Sequence, residues 1–512
     1  MKFSYRSRLR LLTFVGYKKL PDWASWTSGL FLGISAGLLT VGFISTISGL
    51  VGLIDSASHT PKLLVSGTCL GIFGGYLFSI IRPPQKHRAA DIFAGFFSFA
   101  TSVGLSAATI FFITGVTNQF DTAFYEATVA ITTTALSTLD IAQLTPEIEF
   151  FRGFLQWVGG LTVLILGAAI IPVIGNRSDP SSQIERNDAL SLGATRRTAI
   201  YNILSIYVPL SFSLWVAYSL TGIGIFDGLL LAISTVSTGG FVPQGSPLEN
   251  AAVQWIAIVG MCMSGTSFVV LWRLATKKIG DLRNSLELRL YFSTLISLGL
   301  VLFIFSGESS FTNLRSSFVV VSSAVSTTGF PGMIQGEWLP AFTVLVLLVT
   351  AIGGMAGSAS GGFNIRSLII LIRLSIRELV RQLHPRSIVH IQIDAKPLSE
   401  STVEHAVVLQ FLFISVVTIT SIASAIAGLD LFSAINASVH SAATAGPIRA
   451  INGDLLDPAL WSRPIRMTLV PAMLLGWLTI FPVLIAAGEF VSLLKRKEKS
   501  IRRQILKIKA SE

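Results

Sequence analysis

The sequence predicts an all-α polytopic membrane protein: four helix–pore-loop–helix repeats around a pseudo-fourfold pore, plus two N-terminal transmembrane helices. Three observations lead there. The 512 residues are 51% hydrophobic and only 13% charged, about half the charged share of an ordinary soluble domain. Apolar stretches of bilayer length recur along the chain, and the connections between them are alternately basic and acidic. Four of those connections carry a short apolar stretch followed by a Thr/Ser/Gly/Ala run.

A helical span needs about 20 apolar residues. Ten segments meet that length: 29–54, 64–82, 91–117, 152–174, 198–222, 251–274, 286–306, 340–372, 403–427 and 466–494. The first follows a basic leader but runs on for about 25 residues without a small-residue cleavage site, so it reads as a retained anchor. MKFSYRSRLRLLTFVGYKK precedes that span; RPPQKHR, NRSDPSSQIERNDALSLGATRR, ATKKIGDLRNSLELR and RLSIRELVRQLHPR follow the second, fourth, sixth and eighth; KRKEKSIRRQILKIK ends the chain. The intervening connections carry Asp121, Glu126, Asp140, Glu147, Glu149, Glu249, Glu308, Glu337, Asp430 and Asp454. The positive-inside rule therefore places both termini in the cytoplasm. A net charge of +11 taken alone would fit a nucleic-acid partner. Its confinement to one membrane face argues against one. Cys69 and Cys262 have neither disulfide nor metal-ligand spacing.

The repeated connections read FYEATVAITTTALSTLD (124–140), FDGLLLAISTVSTGGFVPQG (226–245), NLRSSFVVVSSAVSTTGFPG (313–332) and FSAINASVHSAATAGPIRA (432–450). Aligning TTA, STG, TTG and TAG makes Ala135, Gly239, Gly329 and Gly446 equivalent. The implied division is 1–88 for the tail and two extra helices, then repeats over 89–177, 178–280, 281–399 and 400–512. Non-helical backbone in a bilayer must be buried in protein or line a cavity. Glycine frees carbonyls to face an axis, and rings of carbonyls replace a cation's hydration shell. The expected filter is Thr133, Thr134 and Ala135; Ser237, Thr238 and Gly239; Thr327, Thr328 and Gly329; and Thr444, Ala445 and Gly446. Each short helix would point its negative C-terminal end at the cavity. Asp121, Glu126, Asp140, Asp227 and Asp430 would concentrate cations at the outer mouth.

No catalytic constellation competes, so an enzyme is not expected. IGGMAGSASGG (352–362) contains no GxGxxG and no GK[ST], and no nucleotide is expected to bind this chain. That stretch interrupts the eighth segment, where Gly353, Gly354, Gly357, Gly361 and Gly362 weaken a continuous helix and Ser358 and Ser360 re-satisfy freed backbone groups. We read it as a broken helix forming a movable obstruction beneath the filter; close helix packing through small residues is the competing reading.

At these residues the chain resembles the potassium-transporter superfamily of TrkH, KtrB and plant HKT proteins, and is most similar to the TrkH branch. The resemblance covers residues 28–494 through FYEATVAITTTALS, FLQWVGGLTVLILGAAIIPV, AISTVSTGGF, SSAVSTTGF, IGGMAGSASGGFNIR, ELVRQLHP and MLLGWLTIFPV. It implies gated, passive K+ uptake across a prokaryotic inner (cytoplasmic) membrane. It also implies a homodimer with one pore per subunit and a TrkA-like cytoplasmic nucleotide-binding regulatory ring. The basic tail would touch that ring or anionic membrane lipid. His384 would be structural or partner-facing, and His440 would pack before the fourth filter strand.

Three departures stand out. Family pore loops each contribute a filter glycine, but the first loop here has Ala135. A serine there accompanies sodium permeation in some plant relatives, so weaker potassium selectivity is expected. GGIK becomes GGFN, putting Asn364 where the family has a gate lysine, and GRLEIF becomes GWLTIF, putting Trp477 where it has an inner-pore arginine. Trp477 is read as a steric constriction, with lipid or subunit packing as the alternative. The competing functions are a sodium-permeable or weakly selective cation channel, a nonconducting regulatory subunit and a coupled cation transporter.

Overall fold

Long apolar runs without internal charge close their backbone hydrogen bonds within helices, as a bilayer requires. The computed structural model describes residues 23–54, 57–81, 89–174, 196–245, 247–276, 285–332, 334, 338–384, 389–394 and 396–478. The basic leader, the C-terminal tail and most of the other basic connections lie outside the described residues. Among the described residues, seven helices are long and apolar enough to cross a membrane, or eight if one bent pair counts as a single span.

Three helices come first: α1 (Trp23–Ile54), α2 (Thr60–Ile80) and α3 (Ala89–Thr114). They associate through small residues and hydroxyls, as expected where burial alone gives little driving force. A Cβ at Gly42 would stand 2.6 Å from the Gly71 nitrogen, so backbones touch there. Ser98 donates to the Leu30 carbonyl at 2.8 Å, Ser102 to Ile34 at 3.1 Å and Ser45 to Leu63 at 2.8 Å. Phe43, Ile72, Phe212, Ile304 and Ile426 stay exposed, as on a lipid-facing surface.

A pattern then repeats, in which a short helix and an extended segment lie between longer helices. The short helices are α4 (Phe120–Ile131), α7 (Ile225–Val236), α11 (Phe311–Val325) and α15 (Leu431–Ala442). The helices before them are α3, α6 (Arg196–Tyr218), α10 (Leu286–Phe305) and α14 (Glu400–Ile426). Those after them are α5 (Pro146–Ile174), the pair α8 (Ala251–Ser264) and α9 (Phe268–Ala275), the pair α12 (Pro340–Ile352) and α13 (Ile365–Leu383), and α16 (Arg463–Trp477).

One expected span differs. Segment 251–274 reads as one crossing, yet α8 and α9 meet at 102°. Gly265 sits at that corner because a Cβ would fall 2.4 Å from the Tyr291 hydroxyl and 3.1 Å from Ser326. Segment 340–372 is broken as expected, between Ile352 and Ile365. The last segment, 466–494, is described only to residue 478. Between α13 and α14 the two-residue strands β1 (Gln392–Ile393) and β2 (Lys396–Pro397) pair antiparallel, a small addition to an otherwise helical fold.

Candidate ion-conduction site

All four short helices end alike. The N–H of Thr134 bonds to the Val129 carbonyl at 3.0 Å, Gly239 to Ser234 at 2.9 Å, Thr328 to Ser323 at 3.0 Å and Ala445 to His440 at 2.8 Å. The residue before each donor is a threonine with left-handed backbone: Thr133 at φ 56°, Thr238 at 53°, Thr327 at 56° and Thr444 at 48°. This is the Schellman termination, whose left-handed position ordinarily belongs to glycine. A β-branched residue there is a genuine outlier, at a cost of order 1–3 kcal/mol each. Four such outliers at equivalent places are a built feature. Their hydroxyls explain the residue type in two cases: Thr238 Oγ1 donates to the Ala359 carbonyl at 2.9 Å, and Thr327 Oγ1 accepts from the Gly361 N–H at 2.8 Å.

These terminations correct the sequence register in the second segment. With the left-handed threonines aligned, the runs are TTTA (132–135), STGG (237–240), STTG (326–329) and ATAG (443–446). Gly239 is thus equivalent to Thr134, Thr328 and Ala445, while Gly240 is the partner of Ala135, Gly329 and Gly446. STGG offers two glycines, and matching STG with TTG selects the wrong one. Ser237 falls at the level of Thr132, Ser326 and Ala443, one step before the left-handed residues.

The corrected set converges. A Cβ at Gly240 would lie 2.5 Å from the Ala135 methyl, and one at Gly329 or Gly446 would lie 2.7 Å from it. Ordinary carbon contacts are about 3.5–4.0 Å, so the ring holds one methyl and excludes a second. Gly240 and Gly329 also require positive φ, at 78° and 87°, whereas Ala135 does not. The methyl at position 135 therefore fits its own backbone, and its effect is to occupy the ring.

Each segment is held from behind by different groups. In the first, Tyr125 donates to the Leu136 carbonyl at 2.9 Å. Glu126 accepts from the Ser137 hydroxyl at 2.8 Å and from the Thr138 N–H and hydroxyl at 2.6 Å each. Glu126 is 1% exposed, so it is a structural acceptor and contributes no free charge at the outer mouth. Arg152 of α5 donates to Ser137 at 2.7 Å and lies 4.2 Å from the ring centre of Phe241, tying the first segment to the second. In the second segment Gln156 donates to the Gly239 carbonyl at 2.5 Å. The third uses Ser323, which donates to the Phe330 carbonyl at 3.0 Å and accepts from the Gly329 N–H at 3.1 Å. In the fourth, Asn436 donates to the Arg449 carbonyl at 2.6 Å, and Arg449 donates to the carbonyls of Gly453 and Gly332. Burial pushes the Arg449 guanidinium down to about 10, which leaves it charged at neutral pH. Buried His440 sets Nδ1 2.9 Å from the Asn436 carbonyl and so belongs to this packing. At the N-terminal end of α15, Asp430 caps the helix through the Ser433 N–H at 3.0 Å. The Ser433 N–H and hydroxyl hold that carboxyl below its usual range.

The glycine-rich break lies against the left-handed threonines of segments two, three and four. Besides the bonds to Thr238 and Thr327, a Cβ at Gly361 would reach 2.5 Å from Thr444 Oγ1. Gly353, Gly357 and Gly362 adopt φ of 73°, 77° and 79°, conformations that glycine supplies without strain. A Cβ at Gly354 would meet the Ser360 hydroxyl at 2.4 Å and the Gly265 carbonyl at 2.7 Å. Buried Ser358 bonds to the Met355 carbonyl at 2.7 Å and pairs with the Ser360 hydroxyl at 2.6 Å. The two breaks satisfy one another: Met355 N–H bonds to the Gly265 carbonyl at 3.0 Å, Ala359 N–H to Ser264 at 3.3 Å and Phe268 N–H to Gly357 at 2.9 Å. Asn364 caps α13, its side chain accepting from the Ser367 N–H at 3.0 Å. Trp477 is 2% exposed and donates to the Gly159 carbonyl of α5 at 3.2 Å. It belongs to the same buried apolar cluster as Ile131 and Leu155.

Gly240, Gln156, Arg152 and the corner at Gly265 escaped the sequence reading. The doubled glycine of STGG and the FLQWVGG stretch were the available signals.

The family model described as TrkH, cation transport protein, matches residues 66–321 and 308–492. The chain is similar to the Trk system potassium uptake protein TrkH of Vibrio parahaemolyticus, 28% identical over 435 residues, covering 79% of this chain and 87% of that protein. TrkH of Halomonas elongata is 26% identical over 489 residues, covering 87% of this chain and 98% of that protein. TrkH of Escherichia coli is 29% identical over 392 residues, covering 71% and 77% respectively. The fold matches the crystal structure of the potassium transporter TrkH from Vibrio parahaemolyticus with a TM-score of 0.78 and 24% identity, over 90% of this chain and 98% of that one.

Proposed function

The chain belongs to the TrkH family of cation transport proteins, and from that premise we propose that it is a gated potassium channel that takes K+ into the cell. It is a multi-pass membrane transport protein and not an enzyme. The observation that carries the potassium reading is the convergence of Ala135, Gly240, Gly329 and Gly446 just beyond four left-handed threonines. Such a constriction presents backbone oxygens in place of a hydration shell, and four helix C-termini add negative potential. The units over 89–177, 178–280, 281–399 and 400–512 act as the four walls. An inside-negative membrane contributes about 2.3 kcal/mol per unit charge per 100 mV, enough to drive uptake without coupling.

The break between Ile352 and Ile365 supports the gate. It lies against three of the four threonines, and its glycines permit rearrangement. Gly353, Gly354, Gly357, Ser358, Gly361 and Gly362 form the moving part, and Asn364 anchors its exit. In this account the protein sits in a prokaryotic inner membrane as a homodimer with both termini cytoplasmic. A TrkA-like ring supplies nucleotide sensing from outside this chain, and the basic tail meets that ring or anionic lipid.

Ala135 favours a second reading, a weakly selective or sodium-permeable pore, because its methyl occupies a ring that is otherwise all glycine. Radioactive rubidium uptake into proteoliposomes polarised inside-negative tests the first reading. Uptake that follows the potential and is competed by K+ supports it. Uptake no greater than into empty vesicles overturns it, and equal competition by Na+ favours the second reading.

A further inference from the structure

Helix α5 places Arg152 and Gln156 one turn apart on the face that meets the first two extended segments. Gln156 is fully buried, and its Nε2 donates to the Gly239 carbonyl at 2.5 Å while its Oε1 has no partner. The fit is tight, since a Cβ at Gly239 would overlap the Gln156 amide. Among the described residues, the equivalent carbonyls of Thr134, Thr328 and Ala445 receive no side-chain hydrogen bond. At this level one oxygen of four is therefore held from outside the ring.

We propose that Gln156 is a specificity-determining positioning residue: its amide fixes the Gly239 carbonyl from behind and makes this level of the pore asymmetric. The inference rests on the conduction reading above. Discrimination between cations depends on the number, field and freedom of the oxygens that replace water. Gly239 lacks a side chain and has wide backbone freedom, so the Gln156 amide supplies the restraint at that carbonyl. Remove the donor, and the carbonyl turns to suit a smaller ion as readily as a larger one. Arg152 restrains the same pair of segments one turn away, through Ser137 and Phe241.

The test compares wild type, Gln156→Met and Gln410→Met in planar bilayers with K+ on one side and Na+ on the other. Methionine keeps the length of glutamine and removes the donor. Gln410 is a matched control: it is buried on α14, neither amide atom has a partner, and it contacts none of the four segments through a hydrogen bond. The K+/Na+ permeability ratio of Gln156→Met should fall at least about threefold with K+ current retained, and that of Gln410→Met should match wild type. Gln156→Leu gives the same reading if the methionine variant does not assemble. An unchanged ratio at position 156, or an equal fall at position 410, overturns the proposal while leaving the pore intact. A wild type without cation current overturns the conduction reading and this inference with it.

Discussion

The first and second extended segments share a backbone and differ in almost everything that supports it. Both end a short helix in a left-handed threonine, Thr133 and Thr238, with matching terminal hydrogen bonds. Behind the first stand Tyr125, Glu126 and Arg152, a phenol and a charged network. Behind the second, Gln156 reaches one carbonyl. At the ring the first segment presents a methyl on ordinary backbone, and the second a glycine at φ 78°. The pseudo-symmetry is thus a property of the main chain. Each wall has its own side-chain scaffold, and of these two the wall that bears the methyl has the charged one.

The harshest way to break the comparison is to put a second methyl in the ring. Gly329→Ala combines a left-handed backbone, at about 1–2 kcal/mol for an L-residue, with a carbon 2.7 Å from the Ala135 methyl. Rubidium uptake should fall more than about tenfold, since overpacking at this ring blocks the path as well as straining it. The double variant Ala135→Gly/Gly329→Ala should regain part of that flux, because only one methyl remains. No recovery would show that the backbone, and not crowding, is limiting.

Next in size is the scaffold of the first wall. Glu126→Gln weakens a buried acceptor of three bonds and leaves Arg152 with a neutral neighbour. Stability should drop by about 1–3 kcal/mol, read as a lower thermal midpoint in detergent. An unchanged midpoint would mean that the network contributes nothing net, as some buried ionic groups do.

Ala135→Gly should act on transport while leaving that midpoint nearly unchanged. With the methyl gone, the ring gains its fourth glycine, and the K+/Na+ permeability ratio should rise by about two- to fivefold. Equal, strong selectivity in wild type and variant would detach Ala135 from ion choice.

The smallest effect concerns the far ends of the short helices. The helices of the first two walls begin at Gln119 and Gly224 without a side-chain cap, while Asp430 caps the fourth. Asp430→Ala should lose about 1 kcal/mol at neutral pH. The Asp430 carboxyl is held below its ordinary value. Its contribution is therefore complete above the unfolded value near 3.9 and is lost as pH falls through the folded one. Wild type and variant should converge in acid, and a gap that persists there would contradict the cap.

The fold class was legible because bilayer spans and charge alternation are written in composition, which needs no tertiary context. The location of the four segments was legible for the same reason: ITTTALS and VSTTGF are polar interruptions at repeated topological places. Register was harder. Nothing local in STGG says that Thr238 takes the left-handed position, because that choice depends on the helix end and on the Ala359 carbonyl. The bend at Gly265 is likewise decided by partners some ninety residues on, Met355 and Ala359, which bond to the carbonyls that the bend frees. Glu126 looked like a mouth charge because the groups that donate to it, on Ser137 and Thr138, lie beyond the helix that carries it. Sequence patterns report exposure to lipid well and side-chain bracing poorly.

The central claim is that K+ passes through the ring formed by Ala135, Gly240, Gly329 and Gly446 above the four threonines. Anomalous diffraction from crystals soaked in thallium, a K+ mimic, tests it most directly. The account predicts an anomalous peak on the axis between that ring and Thr133, Thr238, Thr327 and Thr444. A protein that transports rubidium but places its thallium away from this axis would contradict it.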